Sequence, residues 1–506
     1  MKGTTPIIIE NIAIANGASM GEERMFGSDP RLRARGFSGA KPDLNRDRAA
    51  RGEERFTIFV RDGVVAEIRP CEERGLRAGD GAGEERGLRA GDGAGAPWES
   101  DIDRLSLGAN YRVIDGRGCV AVPGLVDMHV HFREPGFTHK EDIESGGEAA
   151  AAGGFTTVCC MPNTDPPVSD VEVLRRIDRR GRNACPVRLF AVAAMTMGQR
   201  GKELARIREM DAEDTLCRAF TGHGVSGISE DGKSLLDERL MSDVLRLAKE
   251  LDLLVMDHAE DASMSGGHIN EGIVSRALGV KGIPAEAETR IVERDIRLAR
   301  ETGARMHLQH ISAARSVELI RSAKKELPGL TAETAPHYFA LTEEAVLRAG
   351  AMAKMNPPLR TEQDRMAIIE GLADGTIDVI ATDHAPHSAR EKAGSLEEAP
   401  FGVSGLDTAF AVSYTTLTIP GFLTLRELAD KMSVKPARAI GLDRGRIAEG
   451  SPADMMIFDA EEDFIATSER FASKGKNTPF EGMRLRGRVL YTLRDGALCF
   501  DHEAQR

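Results

Sequence analysis

Residues 121 to 136 read AVPGLVDMHVHFREPG, and the fold turns on how that stretch is taken. A Pro-Gly turn leads into an apolar run, so the segment reads as a buried strand from about Val122 to Phe132. Side chains alternate faces along a strand, which puts His129, His131 and Arg133 on one side. A single buried histidine is more often a hydrogen-bonded core residue than a ligand. Two at a period of two near the end of an apolar strand point to a metal, because neutral imidazole is the commonest metal ligand.

Outward from this strand, from Val122 to about Ile440, short apolar runs alternate with helical stretches. The runs are GLVDMHVHF, FTTVCCMP, PVRLFAVAA, GVSGISE, DLLVMDHAE, ARMHLQHIS, GLTAETAPH and IDVIATDHAPH. Between them lie helix-like segments such as KEDIESGGEAAAA, closed by Gly153-Gly154, LMSDVLRLAKEL, ETRIVERDIRLARETG and EQDRMAIIEGLADG. Eight strands each leading toward a helix is the count for a (β/α)8 barrel, a TIM-like α/β fold.

Flanking the barrel, PIIIENIAIANG and RFTIFVRDGVVAEIRP read as strands, with Asp62-Gly63 as a hairpin turn. GRIAEGSPADMMIFD and GRVLYTLRDGALCF return to β structure after it. The expected organisation is a small β-sandwich built from residues 1–121 and 441–506, beside a barrel at 122–440. Two insertions interrupt the first part. Residues 18–54 are rich in Arg, Gly and Asp with little apolar periodicity, and EERGLRAGDGAG at 72–83 recurs unchanged at 84–95. Two glycine-rich copies cannot bury a face, so the repeat reads as a surface loop.

The net charge of −13 argues against a nucleic-acid surface, while leaving room for a local arginine that holds an anionic small molecule. Seven cysteines with no C-x-x-C pair give neither a disulfide framework nor a thiolate zinc site, which fits a reducing cytoplasm. No apolar run approaches a membrane span.

Barrel enzymes carry their chemistry at the C-terminal ends of the strands. The polar residues of the eight runs fall there: His129, His131, Asn163, Asp231, His258, His310 and Asp383. On the sixth run His310 shares the parity of Met306 and Leu308, leaving His307 as a structural histidine. On the eighth, Asp383 ends the apolar run, His384 faces oppositely and His387 lies in the loop beyond. Four histidines and two aspartates suit one or two zinc ions better than magnesium. Bound zinc lowers the pKa of water from about 15.7 to about 7, so hydrolysis is the expected chemistry, with Asp383 both ligand and proton carrier.

These stretches resemble the amidohydrolase superfamily, and within it the bacterial class I dihydroorotases. PGLVDMHVHFREPG, GGFTTVCCMPNT, SEDG, KMNPPLR, IATDHAPH, EAPFGVSGLDTAF and SKGKNTPF look like that family's motifs, in its order. The resemblance implies reversible hydrolysis of L-dihydroorotate to N-carbamoyl-L-aspartate in pyrimidine synthesis. It implies metal ligands at His129, His131, Asp231, His258, His310 and Asp383, with Asp231 bridging two positions. It further implies substrate contacts from His131, Arg133, Asn163, Asn356, His387 and the backbone of Phe401 and Gly402. A guanidinium at Arg133 suits the substrate carboxylate, which it can hold by two charge-assisted hydrogen bonds. The expected assembly is a homo-oligomer, with aspartate transcarbamoylase as a further partner.

The family more often shows two aspartates where this chain has Glu230-Asp231, so a one-residue shift of the fourth strand would make Glu230 the bridge. Hydantoinases, dihydropyrimidinases and allantoinases are the enzymatic rivals; they resemble this chain but generally bridge their metals with a carboxylated lysine. Lys233 has the right parity for that role, although Gly232 argues that the chain has already turned. A non-catalytic scaffold for the transcarbamoylase is the rival of another class, and such chains typically lose ligands that are all present here. Residues 388–400, SAREKAGSLEEAP, are polar enough to form a mobile cover.

Overall fold

The computed structural model describes residues 5–15, 55–71 and 111–505. The insertion at 18–54 and the tandem repeat at 72–95 lie outside the described residues.

Each of the eight predicted runs supplies a barrel strand, in order Leu125–Val130, Phe155–Cys160, Arg188–Ala191 continued by Ala193–Ala194, Ile228–Ser229, Val255–Asp257, Met306–Leu308, Leu330–Thr334 and Val379–Ile380. All neighbouring pairs among them are parallel. The ring closes where Val130 bridges His384 and the His131 amide donates to the His384 carbonyl at 2.8 Å.

The first strand is shorter than the sequence suggests. Val122 belongs to the preceding strand, Cys119–Pro123, where it pairs with Met456. Pro123-Gly124 therefore separates two strands of different sheets, consistent with its turn chemistry. At the other end the strand stops at Val130, and Arg133 adopts φ 59°, so strand alternation does not set its direction.

Alternation sorts the apolar residues into two layers. Val126, Met128, Cys159, Phe190, Val192, Leu254, Met256 and Val379 form one cluster, closed by Ala437, Ile440 and Leu442. Their sequence neighbours Leu125, Val158, Leu189, Ala191, Val255 and Ile380 join the larger core with the helix faces. The helices start and stop on local chemistry. Asp142, Asp237 and Thr361 cap Ile143–Ala152, Glu238–Leu251 and Glu362–Ala373 by accepting backbone N–H bonds, and Gly303 in the left-handed conformation ends Glu286–Thr302.

The N- and C-terminal pieces do pair, as eight hydrogen-bonded strands in two ladders that share Ile7–Ile14. The first strand, Ile7–Ile14, shifts register against Phe56–Arg61 between Ile9 and Ile12; on its other edge Ile7–Glu10 pair with Arg112–Asp115 and Ala13-Ile14 with Cys119–Pro123. Around that bend Ile9, Ile58, Val60, Met455, Ile457 and Leu493 make a separate small core. Asp62-Gly63 forms the predicted hairpin with positive φ at both residues. Arg188 on the third barrel strand ties the two cores together, its guanidinium 2.7 and 3.0 Å from the two oxygens of Asp454.

Residues 473–478 lie between two strands of the terminal sheet, Met455–Ile465 and Arg484–Arg494. They leave the terminal sheet and pack at the barrel mouth, where Asn477 accepts from the His387 amide at 3.0 Å and donates to the Gly402 carbonyl at 2.9 Å.

Candidate metal centre

Asp231 lies at the focus of the barrel mouth. Its Oδ1 is 3.2 Å from His129 Nε2, 3.7 Å from His258 Nδ1 and 4.0 Å from His310 Nε2, and its Oδ2 is 3.5 Å from His131 Nε2. Asp383 approaches from the eighth strand, its Oδ1 3.1 Å from His131 Nε2 and 3.5 Å from His129 Nε2. The donors fall into two compact groups, His129–His131–Asp231 and Asp231–His258–His310, each with its ligand atoms within 4.8 Å of one another. Asp231 is common to both. All six side chains are buried.

Backbone conformation aims several of them. His310 and Asp383 lie beyond the ends of their strands with φ 35° and 46°, a costly conformation for non-glycine residues that is typical of functional sites. On the fourth strand Glu230 turns away, accepting hydrogen bonds from the Met195 and Thr196 amides at 3.1 Å, and Asp231 faces inward. The chain then turns at Gly232, φ 80°, and Lys233 donates to the Gln199 carbonyl at 3.0 Å. Neither Glu230 nor Lys233 is among the donors grouped around Asp231.

The surrounding side chains fix which nitrogen of each imidazole faces the centre. His129 Nδ1 lies 2.7 Å from Glu333 Oε1, and His131 Nδ1 lies 2.9 Å from Asn163 Oδ1, so each donates outward and presents Nε2 inward. His307 is indeed structural, bonded to Thr331 at 2.8 Å and Glu333 at 3.0 Å. Burial would raise the carboxyl pKa of Asp231, but the charges of His129 and His131 outweigh it and hold that acid well below the usual range. Asp383 is lowered in the same way, against burial, chiefly by His129 and His131. Burial lowers His258 as well, yet Asp231 and Glu260 raise it to about 10. The anions thus outweigh burial and demand positive charge among the imidazoles. His129 Nε2, fully buried, has no hydrogen-bond partner of its own. A buried acceptor of this kind beside two carboxylates and three further imidazoles fits a divalent cation.

The remaining predicted residues lie around this centre in different states. Arg133 Nε donates to the Pro386 carbonyl at 3.3 Å, while its amino groups have no protein acceptor among the described residues. The Asn163 amide is engaged at both ends, with His131 and with Asp231 Oδ2 at 3.1 Å. Asn356 donates to Glu260 at 3.0 Å and keeps its buried Oδ1 unpaired. His387 lies 2.7 Å from the Phe401 carbonyl and 3.4 Å from Lys140 Nζ, so both ring nitrogens have partners.

Three residues escaped the sequence reading. Glu333 and Glu260 orient His129 and His258, and His337, buried after the seventh strand, has an unpartnered Nε2. The signal for His337 was the one used for His310, a histidine closing an apolar run. Glu333 gave none, since a carboxylate inside a strand reads as a solvent-facing residue until its partner is known.

A parallel barrel whose strand ends bring four imidazoles onto a shared carboxylate has the architecture and the donors for metal-assisted hydrolysis. The Amidohydrolase family profile matches residues 120–499. The dihydroorotase of Caldanaerobacter subterraneus subsp. tengcongensis is 45% identical over 389 residues, 77% of this chain and 88% of that protein. That of Clostridioides difficile is 46% identical over 391 residues, 77% and 90% of the two chains. Among solved structures, the L-hydantoinase (dihydropyrimidinase) of Arthrobacter aurescens superposes with a TM-score of 0.74 at 22% identity, covering 98% of this chain and 96% of that one. The dihydropyrimidinase of Brevibacillus agri gives 0.73 at 19%, covering 98% and 95%. At those identities the structures speak for the barrel fold alone. The chain belongs to the amidohydrolase family and, within it, to the dihydroorotases.

Proposed function

We propose that the protein is a dihydroorotase, opening the cyclic amide of L-dihydroorotate to N-carbamoyl-L-aspartate and closing it in the biosynthetic direction. The observation that carries this reading is the convergence of four histidines on Asp231 with Asp383 beside them and Arg133 near by with unpaired amino groups. His129, His131, Asp231, His258, His310 and Asp383 are the residues that would hold one or two ions, and the imidazole and carboxylate donors favour zinc. When bound, such an ion supplies the Lewis acidity that makes water nucleophilic near neutral pH.

The chain's own groups handle the proton and the substrate. In hydrolysis the water oxygen bonds to the amide carbonyl carbon, the carbon–nitrogen bond breaks, and Asp383 carries the water's proton to the leaving nitrogen. The neighbouring imidazoles of His129 and His131 keep it ionised at rest. Ring closure runs the same transfers backwards. Arg133 is free to take the substrate carboxylate through its two amino groups. Asn356 Oδ1 can accept from a ring N–H, and the Phe401–Gly402 backbone and His387 complete the contacts.

The hydantoinase reading is disfavoured by Lys233, whose amine is bound to Gln199. The scaffold reading is disfavoured by the complete donor set. All seven cysteines are free thiols, in keeping with the cytoplasm as the compartment. The test is turnover of dihydroorotate by the zinc-loaded protein beside hydantoin and dihydrouracil. Preference for either rival substrate, or no turnover of any, ends the proposal.

A further inference from the structure

After Asp383 the chain runs over the barrel mouth before rejoining it at Val403. Two buried lysines hold its second half, Lys354 from beneath and Lys392 from within the loop. Lys354, two residues before Asn356, donates to the carbonyls of Leu396 at 2.5 Å and Ala399 at 2.6 Å, and its Nζ sits 4.5 Å from the centroid of the Phe401 ring. Lys392 donates to the carbonyls of Lys354 at 3.1 Å and Pro400 at 2.9 Å. The Gly402 amide donates to the same Lys354 carbonyl at 3.0 Å. Both lysines are 2% exposed, and neither has a carboxylate partner among the described residues.

Burying an ammonium without a counter-charge costs free energy. Burial brings the Lys392 pKa down to about 7, with Lys354 adding to the effect. What the fold gains is visible in the acceptors. Except for the Lys354 carbonyl, all are backbone oxygens of residues 396–400. Directly after them the Phe401 carbonyl meets His387 Nε2 at 2.7 Å, and Gly402 adopts φ 128°. A side chain at Gly402 would put its Cβ 2.5 Å from the Ala385 carbonyl, so this backbone is seated tightly against the eighth-strand loop. Arg133 lies close by, its charge lowering the pKa of His387 after burial has done so.

We propose that Lys354 and Lys392 are positioning residues for the substrate. They seat residues 396–402, which fixes His387 and the Phe401–Gly402 backbone as one wall of the ligand site beside Arg133. This rests on the reading of His387, Phe401 and Gly402 as substrate contacts in a dihydroorotase.

The experiment uses the full-length, metal-loaded enzyme. Lys354→Met and Lys392→Met should each raise KM for dihydroorotate about ten-fold or more while kcat stays within about three-fold, since they act on binding and leave the reacting atoms alone. Metal content should be unchanged, and trypsin should cut after the exposed Arg390 faster than in wild type. An unchanged KM, or a fall in kcat with KM unaltered, overturns the proposal. Were both variants to misfold, the wild-type enzyme still decides it. N-carbamoyl-L-aspartate should slow cleavage after Arg390, and no protection at saturating ligand overturns the idea. Wild-type turnover in the same assay separates failure of this proposal from failure of the functional reading.

Discussion

The Nδ1 atom of His129 lies 2.7 Å from one oxygen of Glu333, whose other oxygen is 3.0 Å from Nε2 of His307. One carboxylate thus holds a site imidazole and a structural imidazole together. Burial alone would raise the Glu333 pKa; the charge and hydrogen bond of His129, with His307, bring it down to about 2. It is a permanent acceptor that fixes the His129 ring and tautomer. Glu333→Gln replaces one acceptor oxygen by a donor, so one of the two imidazoles must lose its bond or flip. Metal affinity should fall about 10–100-fold by chelator competition. Wild-type affinity in the variant would show that packing alone orients His129.

If the paired groups around Asp231 hold ions, removing those ions should loosen the barrel mouth as well as stop the reaction. Dialysis against a strong chelator should abolish turnover and lower Tm, and added zinc should restore both. A ligand at a thousand times its Kd stabilises by about 4 kcal/mol, enough to see as a thermal shift. A chelated protein with full activity and unchanged Tm would remove the metal from the account.

Much of this site was legible because histidine and aspartate at the ends of apolar runs are conspicuous, and eight such runs in alternation with helices leave few other architectures. The parity argument chose His310 over His307, but for a partly mistaken reason. The sixth strand ends at Leu308, and His310 is turned inward by its own φ of 35°. Arg133 shows the same limit. Alternation placed it beside His129 and His131, whereas its direction is set by a positive φ beyond the strand. Period-2 reasoning holds only while the ladder lasts, and functional residues gather where it stops. Glu333 and Asn477 stayed hidden because their roles depend on partners far away in sequence.

Asp383 is the group whose loss should separate chemistry from folding. Asp383→Asn keeps the size and one acceptor oxygen but can no longer take up a proton. Turnover should fall about 10²–10⁴-fold in both directions, as for loss of a general acid–base, with Tm close to wild type. Near-normal rates either way would assign the proton to another group.

Lys431 offers a test of the energetics away from the site. It is buried, with its Nζ donating to the Ile377 carbonyl at 2.8 Å. Burial, aided by Lys435, brings its pKa down to about 7 from the ordinary lysine value of 10.5. Between those two values the unfolded chain binds the proton and the folded chain does not, so stability from this group rises with pH across that window. Below it the folded protein carries the full cost of a buried ammonium. Lys431→Met removes that cost and gives up one hydrogen bond, worth about 1 kcal/mol. The variant should therefore melt several degrees above wild type near pH 6.5, with the gap narrowing as wild type recovers toward about pH 9.5. A gap that stays constant or widens with pH would mean that Lys431 keeps its proton in the fold, held by Asp378 and Asp430, whose charges oppose the shift.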